Sequence, residues 1–312
     1  MTLLDALFSP LQRLLGPKRI PYLFVLPNLL IFGTFIIVPM FLNVFYALTG
    51  GNSFLLAHRT WVGLQNFSQL LSCGNFLNPN TCKEDLFWIA VYNTAFYVII
   101  QVSLTVVMSL ITALALNRSI KARGFFRGVF FYPVLLSPVV VALIWKWMLQ
   151  DQGVLNGILT GFGLQAVPFL ENAAWAKSWV VIVSVWAYVG FYTLILLAGL
   201  QAIPKELYEA GSMDGINDFQ AFRYITLPLL RPTAQVVVLL AMIRGVQIFD
   251  LIYAFTGGGP GTATLFLVQY IYQNGFASAV KRLGVAASAS LLMGAVLVVL
   301  MLLQLSRERG KH

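Results

Sequence analysis

Long apolar runs, separated by shorter polar stretches, dominate this chain from about Tyr22 onward. Most of these runs reach roughly 20 residues, the length that carries a helix across the hydrocarbon core of a bilayer. They do not alternate apolar and polar positions, as the strands of a membrane barrel would. The pattern therefore predicts an all-α membrane protein with six transmembrane helices, at about residues 22–49, 87–116, 125–149, 176–200, 233–256 and 283–305.

Composition supports the membrane assignment. Of the 312 residues, 59% are hydrophobic and only 10% are charged, whereas a soluble domain carries about 25% charged residues. The first apolar run begins near Tyr22, is too long for the apolar region of a signal peptide, and lacks a small-residue cleavage site after it. We therefore expect it to stay in the protein as the first span.

The basic residues indicate an orientation. Most of the 20 Lys and Arg residues lie in or next to four segments on one predicted side of the membrane. These segments are residues 1–21, the connection before the third span, the connection before the fifth span and the tail 307–312. Short cytoplasmic connections carry such an excess. We therefore expect a multi-pass protein of the bacterial plasma (inner) membrane with both termini in the cytoplasm.

The predicted outer loops contain two further features. Cys73 and Cys82 share the first outer loop, where an oxidising compartment would permit a disulfide. Two unpaired thiols are the alternative, and no His or further Cys accompanies them as a metal site would need. In the third outer loop the sequence GGGPG predicts a turn, and LFLVQYIYQ is too short to span, so it predicts a re-entrant helix under protein cover.

The stretch from Pro204 to Pro232 is unusually polar and holds four of the 11 Asp and Glu residues. Pro204 suits the first position of a helix, Gly215 a left-handed stop, and Asn217 the N-cap of a second helix. This second helix is expected to end before Pro228. The pattern indicates a two-helix docking element, although a merely solvated loop would also be polar.

Residues within this stretch resemble the EAA loop of permease subunits of binding-protein-dependent ABC importers. The residues that carry the resemblance are Glu209, Ala210, Gly211, Asp214, Gly215, Ile225, Leu227 and Pro228. Further similar segments are WVGLQNF at 61, RGFFRGVFFYPVLLSPVVVALIWKW at 123 and FDLIYAFTGGGPGTAT at 249. Together they resemble the sugar-importing branch, on the maltose and glycerol-phosphate type of first permease subunit.

The resemblance implies a type I importer permease fold and a transport subunit without catalytic activity of its own. It implies a second homologous permease, two ABC ATPase subunits, an extracytoplasmic solute-binding protein and a carbohydrate substrate. The 204–232 loop would insert into a cleft of an ATPase subunit. This chain would bind no cofactor, because ATP and Mg are used by the ATPase subunits. Two residues depart from the family pattern, since Gly211 and Ile216 replace alanines; glycine there should loosen the helix by about 1 kcal/mol.

Polar residues inside spans are candidates for the substrate path, because they are costly in the membrane and tend to face cavities. Gln247, Asp250 and Tyr253 recur every third residue and would share one face of the fifth span. Their side chains can donate to and accept from sugar hydroxyls. Asp250 could instead pair structurally with Arg244 or with a partner subunit. Asn274 and Trp145 are further candidates for the path.

Several function classes find no support in the sequence. The only histidines are His58 and His312, both at predicted aqueous ends, and no phosphate-binding loop with its lysine is present. No catalytic triad and no metal site are predicted. A passive channel and a membrane-embedded transferase remain rivals from other classes, and the same fold could import a polyol or phosphorylated polyol.

Overall fold

The computed structural model describes Gly16 and residues 20–118 and 121–309. The helices are α1 (Ile20–Phe32), α2 (Val38–Ala47), α3 (Gln65–Leu71), α4 (Asp85–Asn117), α5 (Arg123–Leu135), α6 (Pro138–Leu149), α7 (Val154–Gly161), α8 (Ala173–Gln201), α9 (Lys205–Met213), α10 (Asp218–Ala221), α11 (Leu227–Val246), α12 (Asp250–Phe255), α13 (Leu267–Tyr272) and α14 (Leu283–Arg309). Two short strands, β1 (Thr49–Gly50) and β2 (Thr60–Trp61), pair antiparallel. The predicted segment 1–21 and the end of the predicted tail 307–312 lie mostly outside the described residues.

The predicted all-helical, membrane-spanning architecture is confirmed. The helices long and apolar enough to cross a membrane are Phe24–Ala47, Asp85–Asn117, Ala173–Gln201, Asp218–Val246 and Leu283–Gln304. A sixth span results if the bent pair Arg123–Leu135 and Pro138–Gly161 crosses once. The number of six spans therefore holds when that pair is counted as one.

The prediction of one continuous helix over 125–149 is wrong. The chain breaks between α5 and α6, and Arg123–Leu135 and Pro138–Gly161 meet at 98°. Ser137 is extended, with ψ of 136°, because a residue directly before a proline is disfavoured in the helical region. Pro138 then starts α6 without needing a hydrogen bond from its nitrogen.

The prediction of one continuous helix over 233–256 is wrong as well. Helix α11 ends at Val246 and α12 begins at Asp250, with Phe249 between them far from helical geometry at φ −140°. Ile248 turns into the core at this break and is only 7% exposed. Gln247, Asp250 and Tyr253 consequently do not lie on one face of a single helix.

Two π-helical turns precede prolines within otherwise continuous helices. Gly33–Ile37 joins α1 to α2, and Phe222–Thr226 joins α10 to α11. Each turn stands just before a helix with proline at its start, Pro39 in one and Pro228 in the other. Widening a turn to i→i+5 bonding removes the clash between the proline ring and the preceding turn. The prediction that the second loop helix ends before Pro228 is therefore wrong, because α10 runs on into α11.

Helix α8 is the central helix of the molecule. Its buried residues include Ala187, Tyr192 and Leu196, which pack in two clusters with residues of α4, α11 and α12. Helix α5 approaches it so closely that a Cβ on Gly190 would lie 1.9 Å from the carbonyl oxygen of Phe130. Only glycine permits this contact, so Gly190 sets the position of α5.

The loop of residues 49–86, between the first and second spans, is held together by a disulfide and by hydrogen bonds. Cys73 and Cys82 form a disulfide. The buried Asn66 amide donates to the carbonyl oxygens of Ala47 at 2.8 Å and Thr49 at 3.1 Å, which satisfies the end of α2. These contacts fix the loop before α4 begins.

The third predicted outer loop has the form that its sequence indicates. Gly257, Gly258 and Gly261 adopt positive φ, which glycine tolerates without steric cost. The short apolar run that follows forms α13, whose Leu267 and Tyr270 are buried in a cluster with residues of α4 and α14. A short helix under protein cover agrees with the re-entrant interpretation.

Candidate functional site

A polar cavity lies at the break between α11 and α12. Its volume is about 200 Å³. Helices α6 and α8 contribute one residue each, and the segment around the break contributes the rest. The lining residues are Pro138, Tyr188, Arg244, Gln247, Ile248, Phe249, Asp250 and Leu251. The segment around the break thus brings the hydrogen-bonding residues Arg244, Gln247 and Asp250 to one cavity with Tyr188 of α8.

Each of these side chains has a local reason for its position. Gln247 follows the last residue of α11, and its own N–H closes that helix on the Ile243 oxygen at 3.1 Å. Asp250 lies in the first turn of α12, where the helix dipole favours a carboxylate. Arg244 lies one turn before Gln247, with its guanidinium 4.7 Å from the centre of the Phe191 ring. All three residues are exposed.

Within the part of the chain that the structure describes, no ion pair joins Arg244 to Asp250. The alternative of an intrachain structural pair is therefore not realised. Tyr188, from α8, also lines the cavity. The cavity thus offers one cation, one anion, one amide and one hydroxyl, a set that can both donate to and accept from a polar solute.

An aromatic cluster stands beside the cavity. Phe249 stacks on Tyr253 with ring centres 5.2 Å apart, and Tyr272 lies 5.0 Å from Phe249 and 5.5 Å from Tyr253. Phe276 continues the cluster, 6.1 Å from Tyr272. Tyr253 accordingly belongs to this aromatic wall rather than to the polar row with Gln247 and Asp250.

Asn274 and Trp145 are not among the residues that line the cavity. The Asn274 amide donates to the Tyr270 oxygen at 3.0 Å and accepts from Arg282 at 3.4 Å. Trp145 packs between Trp179 and Trp186, with both ring centres 5.6 Å away. Their place in a substrate path stays a prediction, since neither lines this cavity.

Sequence reasoning missed Tyr188, Phe249 and Tyr272. Each is a polar-tipped or aromatic residue inside or next to an apolar run, so its residue type alone gave a weak signal. The missing information was proximity, because Tyr188 and Asp250 come from different helices that meet only in the folded chain. Helix interruption at 247–249 also brought Phe249 into the site.

A second polar cluster, also missed, lies at the start of α4. The Glu84 carboxylate is paired with Arg282, whose Nη1 donates at 3.0 Å, and it also accepts from Gln69 at 2.6 Å and from the Tyr270 hydroxyl at 3.1 Å. Burial raises the pKa of Glu84, but the hydrogen bond and charge of Arg282 outweigh it and hold that pKa below its ordinary 4.5. Every oxygen of this carboxylate is occupied, so the cluster is structural.

The 204–232 loop folds into α9, a turn and α10. Pro204 is the N-cap of α9 rather than its first helical residue, as its ψ of 133° shows. Gly215 has φ of 76°, the left-handed stop that was predicted. The capping box is complete, with Asn217 accepting from the Gln220 N–H and donating its own to the Gln220 side chain, both at 2.9 Å. The Tyr208 and Thr226 hydroxyls hydrogen bond at 2.9 Å and tie α9 to the turn before α11.

Gly211 and Ile216, the two residues that depart from the family pattern, lie against each other. A Cβ on Gly211 would lie 2.5 Å from Cδ1 of Ile216 and 3.2 Å from Cδ1 of Ile225. The larger side chain at 216 therefore fills the space that an alanine methyl at 211 would take. Gly211 and Ile225 are half-buried. The other residues of the motif are exposed: Glu209, Ala210, Asp214, Gly215, Leu227 and Pro228.

Comparison with known proteins assigns the family. Residues 105–309 match the family described as "Binding-protein-dependent transport system inner membrane component". The trehalose/maltose transport system permease protein MalF of Thermococcus litoralis is 36% identical over 82% of this chain and 84% of its own length. The arabinooligosaccharides transport system permease protein AraP of Halalkalibacterium halodurans is 32% identical over 92% of this chain and 87% of its own length.

A solved structure supports the fold. It is the crystal structure of a bacterial ABC transporter involved in the import of the acidic polysaccharide alginate, with a TM-score of 0.81 at 24% identity, covering 97% of this chain and 99% of that one. With the family match and the curated relatives, the chain belongs to the inner membrane components of binding-protein-dependent transport systems, the permease subunits of ABC importers.

Proposed function

We propose that this chain is a permease subunit that translocates a carbohydrate, delivered by an extracytoplasmic solute-binding protein, across a bacterial plasma membrane. It would work with a second homologous permease and with two ABC ATPase subunits, which bind ATP and Mg. Both termini and the 204–232 loop would be cytoplasmic. Relatives from Thermococcus litoralis, Halalkalibacterium halodurans and Rhizobium radiobacter are named as transport permeases for trehalose or maltose, for arabinooligosaccharides and for lactose, which supports a sugar.

The observation that carries the proposal is the polar cavity at the broken helix. Interrupted membrane helices form substrate sites in transporters, because their ends leave backbone and side-chain groups free for a ligand. Asp250, Gln247 and Tyr188 can hydrogen bond to hydroxyls, while the Phe249 and Tyr253 rings provide an apolar wall beside them. A mostly apolar wall with a few placed polar groups is typical of small-molecule sites.

The surface of the 204–232 loop supports docking on another protein. Met213 is 90% exposed, Phe219 73% and Tyr224 72%. Large apolar side chains on an otherwise polar loop favour burial against a partner, and Glu209 and Asp214 are exposed on the same loop. We infer that this surface fits a cleft of the ATPase subunit.

One helix connects the two sites. The helix Asp218–Val246 runs unbroken for 29 residues, roughly 40 Å at 1.5 Å per residue, from the docking surface to Arg244 in the cavity. Closure of the ATPases on ATP would move the loop, and the helix would carry that movement to the cavity and change which side it opens to. Transport coupling then requires that nucleotide and sugar each bind the two states with different affinity.

Reconstitution of the complete importer in proteoliposomes tests the proposal, with sugar uptake and ATP hydrolysis measured together. Glu209→Lys should abolish uptake, because it reverses the charge on the docking surface, whereas Glu206→Lys on the same helix is the matched control. Full uptake by the Glu209 variant would contradict the docking assignment. If no carbohydrate bound to the binding protein were imported, the sugar assignment would be wrong.

One observation favours a second candidate, a phosphorylated polyol. Arg244 has no carboxylate partner among the described residues, and a guanidinium in a cavity suits a phosphate oxygen. Uptake of a phosphorylated polyol that is lost in Arg244→Gln, without uptake of neutral sugars, would favour this candidate over a carbohydrate.

A further inference from the structure

Two arginines converge at the end of α8, directly before the 204–232 loop. With the Gln201 amide oriented so that its oxygen faces them, an Nη2 atom of Arg123 and one of Arg127 each lie 2.9 Å from that oxygen. Both Nε atoms are enclosed and have no hydrogen-bond partner. Among the residues that the structure describes, neither guanidinium forms an ion pair with a carboxylate. Two positive charges therefore share one neutral acceptor.

This arrangement has an unbalanced charge. Like charges this close repel each other, and both arginines stand at the positive N-terminal end of α5, whose first turn contains no acidic residue. A phosphate group has several oxygens and one or more negative charges, so it can accept from two guanidinium groups at once. Arg123 and Arg127 can therefore bind an anion such as a phosphate group.

The pair lies where apolar spans end. Gln201 is the last residue of the span Ala173–Gln201, Asn117 is the last of Asp85–Asn117, and Arg123 is the first of α5. The ends of spans lie at the level of the lipid headgroups. A phosphate at this level is the phosphate of a phospholipid.

An apolar groove continues from the arginines along the same two helices. Phe131 lies one turn beyond Arg127 on α5, and Ala198 lies one turn before Gln201 on α8, so both share the faces that carry the polar pair. These two residues line a groove of about 590 Å³ that extends along α8 as far as Phe191, roughly 10 Å at 1.5 Å per residue. The site therefore has a cationic end at headgroup level and an apolar end within the membrane.

We propose that Arg123, Arg127 and this groove bind one anionic phospholipid. Its phosphate lies on the two guanidinium groups and the beginning of an acyl chain lies along Phe131 and Ala198. Basic pockets between membrane helices bind anionic headgroups in this way. Charge complementarity selects an anionic lipid over a zwitterionic one, because the headgroup must neutralise two cations that no protein carboxylate reaches.

Native mass spectrometry of the purified importer tests the site. Detergent-solubilised complex is incubated with phosphatidylglycerol or with phosphatidylcholine, and bound lipid is counted. Retention of phosphatidylglycerol should fall roughly tenfold or more in the double variant Arg123→Gln, Arg127→Gln, given the contribution of each basic residue to anionic lipid binding. Arg118→Gln, an exposed arginine nearby, is the matched control and should retain the lipid. The Lys double variant should restore most of the retention if the variants fold alike.

Three outcomes would overturn the proposal. Equal retention of phosphatidylglycerol in wild type and in the double Gln variant would show that the pair does not bind lipid. Displacement of phosphatidylglycerol by millimolar inorganic phosphate would assign the pair to a free anion. A photo-crosslinking residue at Phe131 should yield an adduct of lipid mass, and an adduct with the partner permease instead would make the groove a subunit interface.

Discussion

Two polar clusters of this permease differ in how their charges are satisfied. At the start of α4, the Glu84 carboxylate has an ion-pair partner and further donors from Gln69 and Tyr270. At the break of α11, Arg244 and Asp250 line a cavity and no ion pair joins them within the described residues. Fully partnered charge holds a structure together, whereas charge that faces a cavity without a partner is available to a ligand.

The difference also appears in chain distance. Glu84 and Arg282 are 198 residues apart and connect the first connecting loop to the last helix. Arg244 and Asp250 are six residues apart and stay on one segment. The first cluster is therefore placed to join distant parts of the fold, and the second to respond to a solute and to movement of one helix.

The largest expected effect is a loss of stability when the cluster of Glu84 and Arg282 is changed. Glu84→Gln should lower the free energy of unfolding by about 1–3 kcal/mol, because it leaves the Arg282 guanidinium without its carboxylate. The loss should be below that for a fully buried pair, since the Arg282 side chain is 36% exposed. Thermal unfolding in detergent, followed by tryptophan fluorescence, measures it. Glu171→Gln, at an exposed carboxylate, is the control, and equal midpoints for both variants would contradict a structural role for Glu84.

Changes to the charged residues of the cavity should reduce uptake but leave stability nearly unchanged. Asp250→Asn and Arg244→Gln should leave the free energy of unfolding within about 1 kcal/mol of wild type. Neither residue has an ion-pair partner to lose among the described residues, and Arg244 loses its contact with the Phe191 ring. Uptake at low solute concentration should fall roughly tenfold, the value of one charge-assisted hydrogen bond to a ligand. Uptake assays in proteoliposomes measure this, with Arg231→Gln on the same helix as control. A large stability loss with unchanged uptake would make the cavity charges structural.

In the 204–232 loop, substitutions at Gly211 and Ile216 should have energetically coupled effects, although neither residue is charged. Gly211→Ala should bring little stabilisation in wild type, because its methyl would lie 2.5 Å from Ile216. In an Ile216→Ala background the same change should stabilise α9 by about 1 kcal/mol, the difference in helix propensity. Hydrogen exchange over Lys205–Met213 in the four proteins of the cycle measures the coupling. Additive effects would show that the two departures from the family pattern are independent.

The smallest effect should be the pH dependence of the paired cluster. Because the pKa of Glu84 is lower in the folded protein than its ordinary 4.5, its contribution to stability is present above that value and is lost as the pH falls through the folded pKa. The difference in unfolding midpoint between wild type and Glu84→Gln should therefore shrink below about pH 4.5. A constant difference from pH 7 to pH 4 would mean that the carboxylate does not act through its charge.

Local sequence signals predicted much of the fold. The apolar runs around residues 87–116, 176–200 and 283–305 form α4, α8 and α14 almost as expected. In the loop, Gly215 and the Asn217 capping box are realised because backbone conformation and capping depend on a few adjacent residues. Continuity of the third and fifth spans was predicted wrongly, because apolar composition alone does not show where a helix bends.

The candidate site was predicted only in part. Gln247 and Asp250 were found from their polarity in an apolar run, and both line the cavity. Tyr253 was assigned to the right segment with the wrong neighbours, since its ring packs against Phe249 and Tyr272. Trp145 and Asn274 were selected by residue type; neither lines this cavity, and their place in a substrate path stays a prediction.

The sequence by itself determined that this protein is a bundle of membrane helices with one polar loop, because apolar length, helix caps and turn glycines act over short stretches of chain. Tertiary structure decided where α11 breaks, which polar groups share a cavity, that Glu84 meets Arg282, and that Arg123 and Arg127 converge on Gln201. These features depend on close approach between segments far apart in sequence, such as α5 on Gly190 of α8. Their energies come from packing and electrostatics between elements, which no local pattern of residues contains.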